Sequence, residues 1–415
     1  MRVERRRALA GQEAQVAREL RDEVPDGSAI APAVAEIVAA VRRGGDAALQ
    51  GYVDRFDAVG GAPVTVSPDE LKRALSDLDP AVRTGLELAR ANVDAVARAG
   101  VGQDAVVTLP EGHTVTLREL PVARAGIYVP GGRAPYPSTV VMGVVTARAA
   151  GVGEVVVCAP GSHPVILAAC ALCGADRVYR MGGAHAVAAL AYGTETIDRV
   201  DVIAGPGNLY VQEAKRLVAG DVGIDAYLGP SDVLVVADAF ADPALITADL
   251  LAQAEHGDGT VVVLACEDLG VLDAVAAQLE QAPETGALAA VVETEDAAAG
   301  IAFAQAFAPE HLELLGPGPE ALVDSVTASG CVFVGASGAT AFGDYVAGSN
   351  HSLPTGGAAR FASALGPRAF RRRQSVVRID AASAAALAGP GAAVARAEGF
   401  ERHARSMELR DNGRR

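Results

Sequence analysis

From Gly126 onward, short runs of β-branched and other apolar residues alternate with longer alanine-rich segments. The first series of runs lies at 126–129, 154–158, 177–180 and 200–204. A second series lies at 231–236, 260–265, 290–293 and 331–334. Continuous apolar runs separated by helices are typical of parallel strands that are buried on both faces. The sequence therefore predicts an α/β fold with two Rossmann-like units, each built on a parallel sheet.

The segments outside these series predict helices. Apolar positions at helical spacing predict one helix over 30–58 and another over 80–99. After about Pro367 the chain continues as an alanine-rich tail broken at Gly389-Pro390-Gly391, which predicts two helical pieces. Such a tail either docks on a neighbouring subunit or extends into solvent.

These patterns predict four parts of the chain. We expect an N-terminal helical segment at 1–24, a discontinuous α/β domain at 25–125 and 231–367, an inserted Rossmann-like domain at 126–230, and a C-terminal helical tail at 368–415.

Charge and composition exclude several classes of partner. The 415 residues have a formal net charge of −16, which disfavours nucleic acid and anionic membranes. No apolar stretch approaches the ~18 residues of a membrane span, and the Arg-rich start leads into no secretion signal. Five cysteines in apolar surroundings indicate no disulfide framework, and the pair Cys170 and Cys173 is expected to pack in a core. We therefore expect a cytoplasmic protein.

An acid and an imidazole are adjacent at Glu310 and His311, directly after Pro309. Histidine moves protons near neutral pH, and a neighbouring carboxylate offers a second base of different strength at nearly the same point. A solvated loop is the structural alternative. The pair is the first candidate for acid-base chemistry.

Gln253 and His256 form a second polar cluster near the end of an expected helix. That helix starts near Pro243, and Gly257 is suited to cap it. Residues three apart share a helix face, so Gln253 and His256 can share a ligand, whereas Glu255 is expected to be structural. Amide oxygens are uncommon zinc ligands, and the alternative is a polar helix end.

Two more clusters lie in the last quarter of the chain. Asp344 and His351 share the glycine-rich stretch 343–351, which suits a ligand or substrate cradle. Glu398 and His403 lie five residues apart in the tail, about 140° apart if they are on one helix. One of them could then bind a metal while the other contacts a substrate.

The combination of these motifs resembles the histidinol dehydrogenase family. The motifs that carry the resemblance are Gln253-Ala-Glu-His256-Gly, Ala308-Pro-Glu-His-Leu-Glu313, Gly343-Asp-Tyr, Gly348-Ser-Asn-His-x-Leu-Pro354 and Glu398-x4-His403. The loops that add to it are Tyr128-Val-Pro-Gly-Gly132, Gly205-Pro-Gly-Asn208 and Gly229-Pro-Ser231. Residues before about 100 contribute little. Several long motifs in the right order make the resemblance specific.

The resemblance implies a homodimer with one zinc ion per subunit. The zinc ligands that it implies are Gln253, His256, Asp344 and His403. In this family His403 and Glu398 would come from the partner subunit, so the tail would contribute to the site of its neighbour. Zinc would orient the substrate rather than activate a water molecule.

The resemblance also implies the reaction, the oxidation of L-histidinol to L-histidine through histidinal with two NAD, the last step of histidine biosynthesis. His311 would take the proton of the substrate alcohol, and Glu310 would activate the water that attacks the aldehyde. The substrate contacts that it implies are Ser231, His351 and Glu398, together with the zinc-binding and catalytic residues.

The cofactor contacts rest on the resemblance alone, because the glycine fingerprint of dinucleotide-binding folds is absent after the first strand of the 126–230 segment. NAD contacts would come from Tyr128, Asn208 and position 185, which assigns NAD to the 126–230 domain. The family has a glutamine at the third position, whereas this chain has His185, whose reach and charge differ. The alternative is that His185 is an unrelated helix residue.

Three other functions stay open from the sequence. A related zinc-dependent NAD dehydrogenase could act on another small alcohol, because a fold and metal site can be kept while the pocket changes. A zinc hydrolase could use Glu310 to activate metal-bound water. A non-catalytic ligand-binding dimer is disfavoured by the intact acid-base pair.

Overall fold

The computed structural model describes residues 1–24, 28–57, 59–131, 134–161, 163–226 and 230–411. Gly132 and Gly229, which belong to two of the sequence motifs, lie outside the described residues. The described strands are β1 (Val3–Arg7), β2 (Ala105–Thr108), β3 (Thr114–Pro121), β4 (Arg124–Tyr128), β5 (Glu154–Cys158), β6 (Arg177–Tyr179), β7 (Val202–Ala204), β8 (Gly223–Ile224), β9 (Asp232–Ala237), β10 (Val261–Cys266), β11 (Leu288–Glu293), β12 (His311–Leu315), β13 (Cys331–Val334) and β14 (Arg371–Arg378).

The helices alternate with these strands through most of the chain. The described α-helices are α1 (Glu13–Asp22), α2 (Ala31–Phe56), α3 (Pro68–Ser76), α4 (Pro80–Ala99), α5 (Pro137–Val140), α6 (Thr146–Ala149), α7 (Pro164–Cys173), α8 (Gly183–Tyr192), α9 (Leu209–Val218), α10 (Pro243–Ala254), α11 (Leu269–Gln281), α12 (Ala297–Phe307), α13 (Pro317–Glu320), α14 (Thr340–Tyr345), α15 (Ala381–Ala397) and α16 (Glu401–Glu408). A π-helical turn, Val141–Val145, joins α5 to α6, and 3-10 turns lie at Ser28–Ile30, Val323–Ser325, Ala358–Arg360 and Pro367–Phe370.

Within the described residues, two parallel sheets confirm the expected α/β fold. One sheet has five strands in the order β6-β5-β4-β7-β8, and the other has six in the order β1-β11-β10-β9-β12-β13. The apolar runs predicted as strands match members of these two sheets, and the two predicted helices match α2 and α4. Each sheet is covered on both faces by apolar side chains of helices, which explains why its strands are continuously apolar.

The contacts divide the chain into two units. The first unit comprises 1–100 and 122–370 and contains both parallel sheets. The second comprises 101–121 and the chain from Arg371 onward. The finer division expected at 25–125, 126–230 and 231–367 stays a prediction.

The N-terminal segment contains a strand as well as the expected helix. In the first unit, β1 pairs in parallel with β11 at the edge of the six-stranded sheet. Its sequence, Val-Glu-Arg-Arg-Arg, is too polar to signal a strand. An edge strand is held mainly by backbone hydrogen bonds to one neighbour, so its side chains need not be apolar.

The second unit contains an antiparallel sheet that the sequence did not predict. Its order is β14-β3-β2, and the basic run that opens the tail forms β14 rather than a helix. The expected break at Gly389-Pro390-Gly391 is also wrong, because α15 continues through Pro390. A Cβ at Gly391 would lie 2.6 Å from the Met407 sulfur, so this glycine allows α15 and α16 to pack closely. The break comes later, at Gly399, which has a φ of +82°.

Among the described residues, none of the helices combines the length and the apolar character needed to traverse a bilayer. The cysteines expected to pack in a core do so: Cys170 and Cys173 are buried on α7.

Candidate active site

A cavity of about 390 Å³ lies in the first unit, between the edges of its two parallel sheets. Tyr128 at the end of β4 and Asn208 just after β7 line it from the carboxyl edge of the five-stranded sheet. Ser231 before β9, Thr260 before β10 and His311 at the start of β12 line it from the amino edge of the six-stranded sheet. The cavity therefore brings together residues that the sequence assigned to cofactor, substrate and catalysis.

Glu310 stands at a rigid corner rather than in a solvated loop. Helix α12 ends at Phe307, and the next residue, Ala308, has a φ of 51°, the only positive value of a non-glycine residue among those described. After Pro309, the Glu310 N–H donates to Oδ1 of Asp232 over 2.7 Å. In return, Oε2 of Glu310 accepts from the Asp232 N–H over 3.0 Å and from the Ser231 hydroxyl.

The surroundings of Glu310 favour its neutral form. Burial and, to a lesser degree, the nearby Asp232 carboxylate raise the pKa of its carboxyl to about 7, against the lowering effect of His311 and of the hydrogen bonds from Ser231 and Asp232. A carboxyl with a pKa near neutrality can both accept and return a proton, which is what a general base requires.

His311 begins β12, and its two ring nitrogens lie near different groups. Its Nε2 lies 3.5 Å from Oδ1 of Asp344, and its Nδ1 lies 3.8 Å from Oε2 of Glu310 and 3.4 Å from the Asp232 carbonyl. Burial disfavours the imidazolium, but the carboxylates of Glu310 and Asp344 outweigh burial and raise the pKa of His311 to about 9. The two bases thus occupy one corner with different partners.

The next residue along β12 that faces the same way as His311 is Glu313, and it ties this strand to two helices. Its Oε1 accepts from the backbone N–H of Thr340 over 2.8 Å and from the Thr340 hydroxyl over 2.6 Å. Burial and the adjacent carboxyl of Asp249 raise the pKa of Glu313 to about 7, which favours its neutral form. Helix α14, which carries Asp344, and helix α10, which carries Gln253, are fixed against β12 in this way.

Gln253 and His256 are brought together, although not on one helix face as expected. Helix α10 ends at Ala254, so His256 lies beyond it. A turn after the helix instead places the His256 Nδ1 2.9 Å from the Gln253 carbonyl. The Gln253 amide N–H donates to the Ser231 hydroxyl, and Glu255 is exposed.

Asp344 and His351 complete the wall of the cavity. Burial opposes ionisation of Asp344, but its hydrogen bond with His311 and the nearby imidazoles of His351 and His256 hold the pKa of this carboxyl below its usual range. Burial lowers the pKa of His351, and its Nε2 is buried without a hydrogen-bond partner in the described part of the chain. An unpaired buried nitrogen beside a carboxylate is suited to a ligand.

Glu398 and His403 belong to the second unit, and both are exposed. Glu398 caps the end of α15, Gly399 turns the chain, and His403 lies in α16, against the ring of Phe400. The expected angle of 140° on one helix is therefore wrong, because the two residues lie on different helices.

On the cofactor side, Tyr128 and Asn208 line the cavity, whereas His185 is buried away from it. The hydroxyl of Tyr128 accepts from the Gly183 N–H over 3.0 Å. Asn208 caps α9 by accepting from a backbone N–H in its first turn. The Nε2 of His185 lies 2.8 Å from Oδ2 of Asp57, and the side chains of both are at most 4% exposed.

Sequence reasoning missed Asp232, Glu313 and Asp249, the buried acids that hold the site in place. One signal was available, because Asp232 and Glu313 are carboxylates within apolar strands, where a charge needs a partner. Nothing in the sequence indicated which partners they would find.

Comparison with known proteins agrees with this geometry. The model of the histidinol dehydrogenase family matches residues 20–411. The chain belongs to the histidinol dehydrogenase family. It is 43% identical over 390 residues to a histidinol dehydrogenase of Parasynechococcus marenigrum, covering 90% of this chain and 89% of that protein. It is 44% identical over 395 residues to one of a Synechococcus strain, covering 91% of each.

A solved structure agrees as well. The histidinol dehydrogenase of Elizabethkingia anophelis has a TM-score of 0.91 and 29% identity, covering 98% of each chain. The family match supports histidinol oxidation rather than the related dehydrogenase or the hydrolase considered from the sequence. The chain is thus an NAD-linked oxidoreductase of histidine biosynthesis.

Proposed function

We propose that the cavity is where L-histidinol is oxidised to L-histidine in two steps, with His311 and Glu310 as successive bases. The observation that carries this proposal is their placement: adjacent in the chain, buried, and 3.8 Å apart at their nearest polar atoms. Two oxidations at one carbon require proton removal first from an alcohol and then from a water, and two bases at one corner serve both without moving the substrate.

In the first step, His311 takes the hydroxyl proton at its Nε2 as hydride leaves the carbinol carbon. Asp344 orients the imidazole, because Oδ1 of this carboxylate lies 3.5 Å from the His311 Nε2. In the second step, Glu310 takes a proton from the water that adds to the aldehyde, and hydride then leaves the hydrated carbon. The Ser231 hydroxyl and the Asp232 N–H keep the Glu310 carboxylate in place between the two steps. When bound, NAD accepts the hydride of each oxidation.

We propose that NAD lies along Tyr128 and Asn208. Both residues stand at the carboxyl ends of parallel strands, where open α/β sheets bind their ligands. The contact expected from His185 stays a prediction. Its bond to Asp57 supports an indirect role, in which the imidazole fixes the start of α8 beside the Gly183 N–H.

We propose that zinc is held by Gln253, His256 and Asp344 together with His403 of the partner subunit. The donor set fits, because the His256 Nδ1 is already oriented by a backbone carbonyl, as in most metal-bound imidazoles. The amide N–H of Gln253 is turned to Ser231, which leaves the amide oxygen as the donor. When bound, the ion orients the substrate and offsets the attraction of Asp344 for a protonated His311.

Within the described residues, no three His, Cys, Asp or Glu of one chain are grouped to hold a metal ion. A donor from a second chain therefore accords with this proposal. The second unit also exposes large apolar side chains, among them Val106, Val377 and Phe400, which suit burial in a homodimer. Ser231, His351 and Glu398 are proposed to contact the substrate. A cytoplasmic location stays a prediction.

The activity test uses purified protein, L-histidinol and excess NAD. We expect about two NADH per histidinol, measured by absorbance at 340 nm, because each oxidation releases one hydride. A flat trace with zinc supplied, or a single NADH per substrate, contradicts the proposal.

The metal test needs no activity. After chelator treatment, added zinc should raise the thermal unfolding midpoint of the wild type, because a ligand that binds only the folded state stabilises it. The same zinc should raise that of Asp344→Ala much less. Asp324→Ala, which removes an exposed carboxylate, is the matched control and should respond like the wild type.

A further inference from the structure

The corner that presents Glu310 is held from behind by Arg21, a residue of helix α1. Its Nη1 lies 2.6 Å from Oδ2 of Asp232, whose side chain is fully buried. Its Nη2 donates to the carbonyls of Phe307 over 3.1 Å and of Ala308 over 3.4 Å. The guanidinium carbon also lies 3.7 Å above the centre of the Phe307 ring. The Arg21 side chain thus contacts both the end of α12 and Asp232, the acid that orients Glu310.

Asp232 divides its two oxygens between Arg21 and the corner. Oδ2 accepts from the guanidinium, while Oδ1 accepts from the Glu310 N–H. Without Arg21, Asp232 would be a buried carboxylate without the guanidinium that contacts it, directly beside a second carboxylate. Buried charges of like sign repel strongly where water is excluded, so the pair would move apart or one of them would stay protonated.

We propose that Arg21 is a positioning residue for the second oxidation, acting through Asp232 to keep Glu310 aligned and able to act as a base. This inference rests on the proposed role of Glu310. Arg21 lies before residue 100, in the part of the chain that carried little of the family resemblance, so no motif pointed to it.

An arginine is required here by geometry as well as by charge. The planar guanidinium reaches one carboxylate and two carbonyls at once while its face lies on the Phe307 ring. A lysine would supply the charge, but its single ammonium group could not contact the carboxylate and both carbonyls in the same way. Helix α1 is itself anchored, because Val16, Ala17 and Leu20 are buried in the same apolar cluster as Phe307.

The test compares the two oxidations in four variants. The first phase of NADH formation in a single turnover of L-histidinol measures the first hydride transfer, and steady-state oxidation of L-histidinal measures the second. Arg21→Met should lower the histidinal rate by about 10- to 100-fold and spare the first hydride transfer. Arg21→Lys should recover part of the loss. Arg18→Met, which removes an exposed arginine of the same helix, should match the wild type.

The fourth variant, Arg21→Met combined with Asp232→Asn, tests whether Arg21 acts through Asp232. Asparagine keeps an oxygen for the Glu310 N–H but carries no charge, so the double variant should be faster with histidinal than Arg21→Met alone. Equal loss of both oxidations in Arg21→Met, or no loss of either, overturns the inference. If Arg21→Met does not fold, Arg21→Lys decides, and an unchanged histidinal rate overturns it.

The results distinguish a failure of the proposed function from a failure of this inference. A wild type that reduces no NAD with histidinol contradicts the function itself. A wild type active in both steps, with an Arg21→Met variant slowed equally in both, contradicts only the role of Arg21.

Discussion

At the scale of single residues, the site depends on two neighbouring positions with different partners. Glu310 directly precedes β12, and His311 is the first residue of that strand. Glu310 accepts from Ser231 and Asp232, while the His311 Nε2 lies near Asp344. Two bases with different surroundings result from two neighbouring positions in the sequence.

Replacing Glu310 by glutamine should separate the two oxidations. Glutamine keeps the shape of the side chain but cannot accept a proton from water, so oxidation of L-histidinal should fall by about 100-fold or more. The first hydride transfer from L-histidinol should be lowered much less, since His311 serves that step. Rapid-mixing measurements of NADH from each substrate check this, and equal losses would count against the division of roles.

Replacing Glu313 by glutamine should change how stability depends on pH. Between the usual carboxyl pKa of 4.5 and its value in the folded chain of about 7, the unfolded state has lost a proton that the folded state retains. The free energy of unfolding should therefore fall as pH rises through this window, by about 1–3 kcal/mol in all. The glutamine variant lacks that proton and should lose less stability over the same range.

Urea unfolding at pH 5 and pH 8 measures this difference. Glu280→Gln, at an exposed position, is the control, and its free energy of unfolding should change with pH as in the wild type. A Glu313→Gln variant whose free energy of unfolding changes with pH as in the wild type would refute the raised pKa of Glu313.

At the scale of secondary-structure elements, a buried hydrogen bond between Asp57 and His185 joins the end of α2 to α8. Asp57 directly follows α2, and it faces both the His185 ring and the Gly182 N–H at the start of α8. His185→Ala should cost about 2–4 kcal/mol, because it leaves a buried carboxylate without its partner. Adding Asp57→Asn should recover part of this loss.

Chemical denaturation of the single and double variants measures both effects. A His185→Ala variant as stable as the wild type would show that the pair does not join the helices. A double variant that loses more stability than the two single variants together would show the same.

The elements that sequence predicted are those whose pattern is local. The apolar runs of β5 and β10 and the helical spacing of α4 can be read from a few neighbouring residues. β1 and β14 could not be predicted, because polar strands at a sheet edge owe their existence to a distant neighbour. β12, His-Leu-Glu-Leu-Leu, was missed because it lacks the β-branched residues that marked the predicted strands.

The candidate site was likewise predicted only in part. The chemistry of Glu310 and His311 is visible in their side chains, and the motif order indicated their roles. Arg21 and Asp232 hold that pair in place, yet they lie 211 positions apart. Only the folded chain brings such residues together.

At the scale of the whole molecule, the proposed exchange of tails predicts that two inactive chains can restore one another. A His403→Ala chain keeps its own bases, and a His311→Ala chain keeps its tail, so a heterodimer of the two has one intact site out of two. Random mixing makes about half of the dimers mixed, so about a quarter of wild-type activity should return.

Each variant assayed alone should stay inactive, and native mass spectrometry should verify that heterodimers form. Heterodimers without any recovered activity would contradict a site shared between subunits.

The cavity lies between the carboxyl edge of one sheet and the amino edge of the other, and this has a consequence for inhibitors. Small fragments would each bind to one edge, a nicotinamide mimic near Tyr128 or an imidazole near His256. A single molecule that joins both fragments through a linker of suitable length would gain from the high effective concentration of its second half. Its affinity should far exceed that of either fragment.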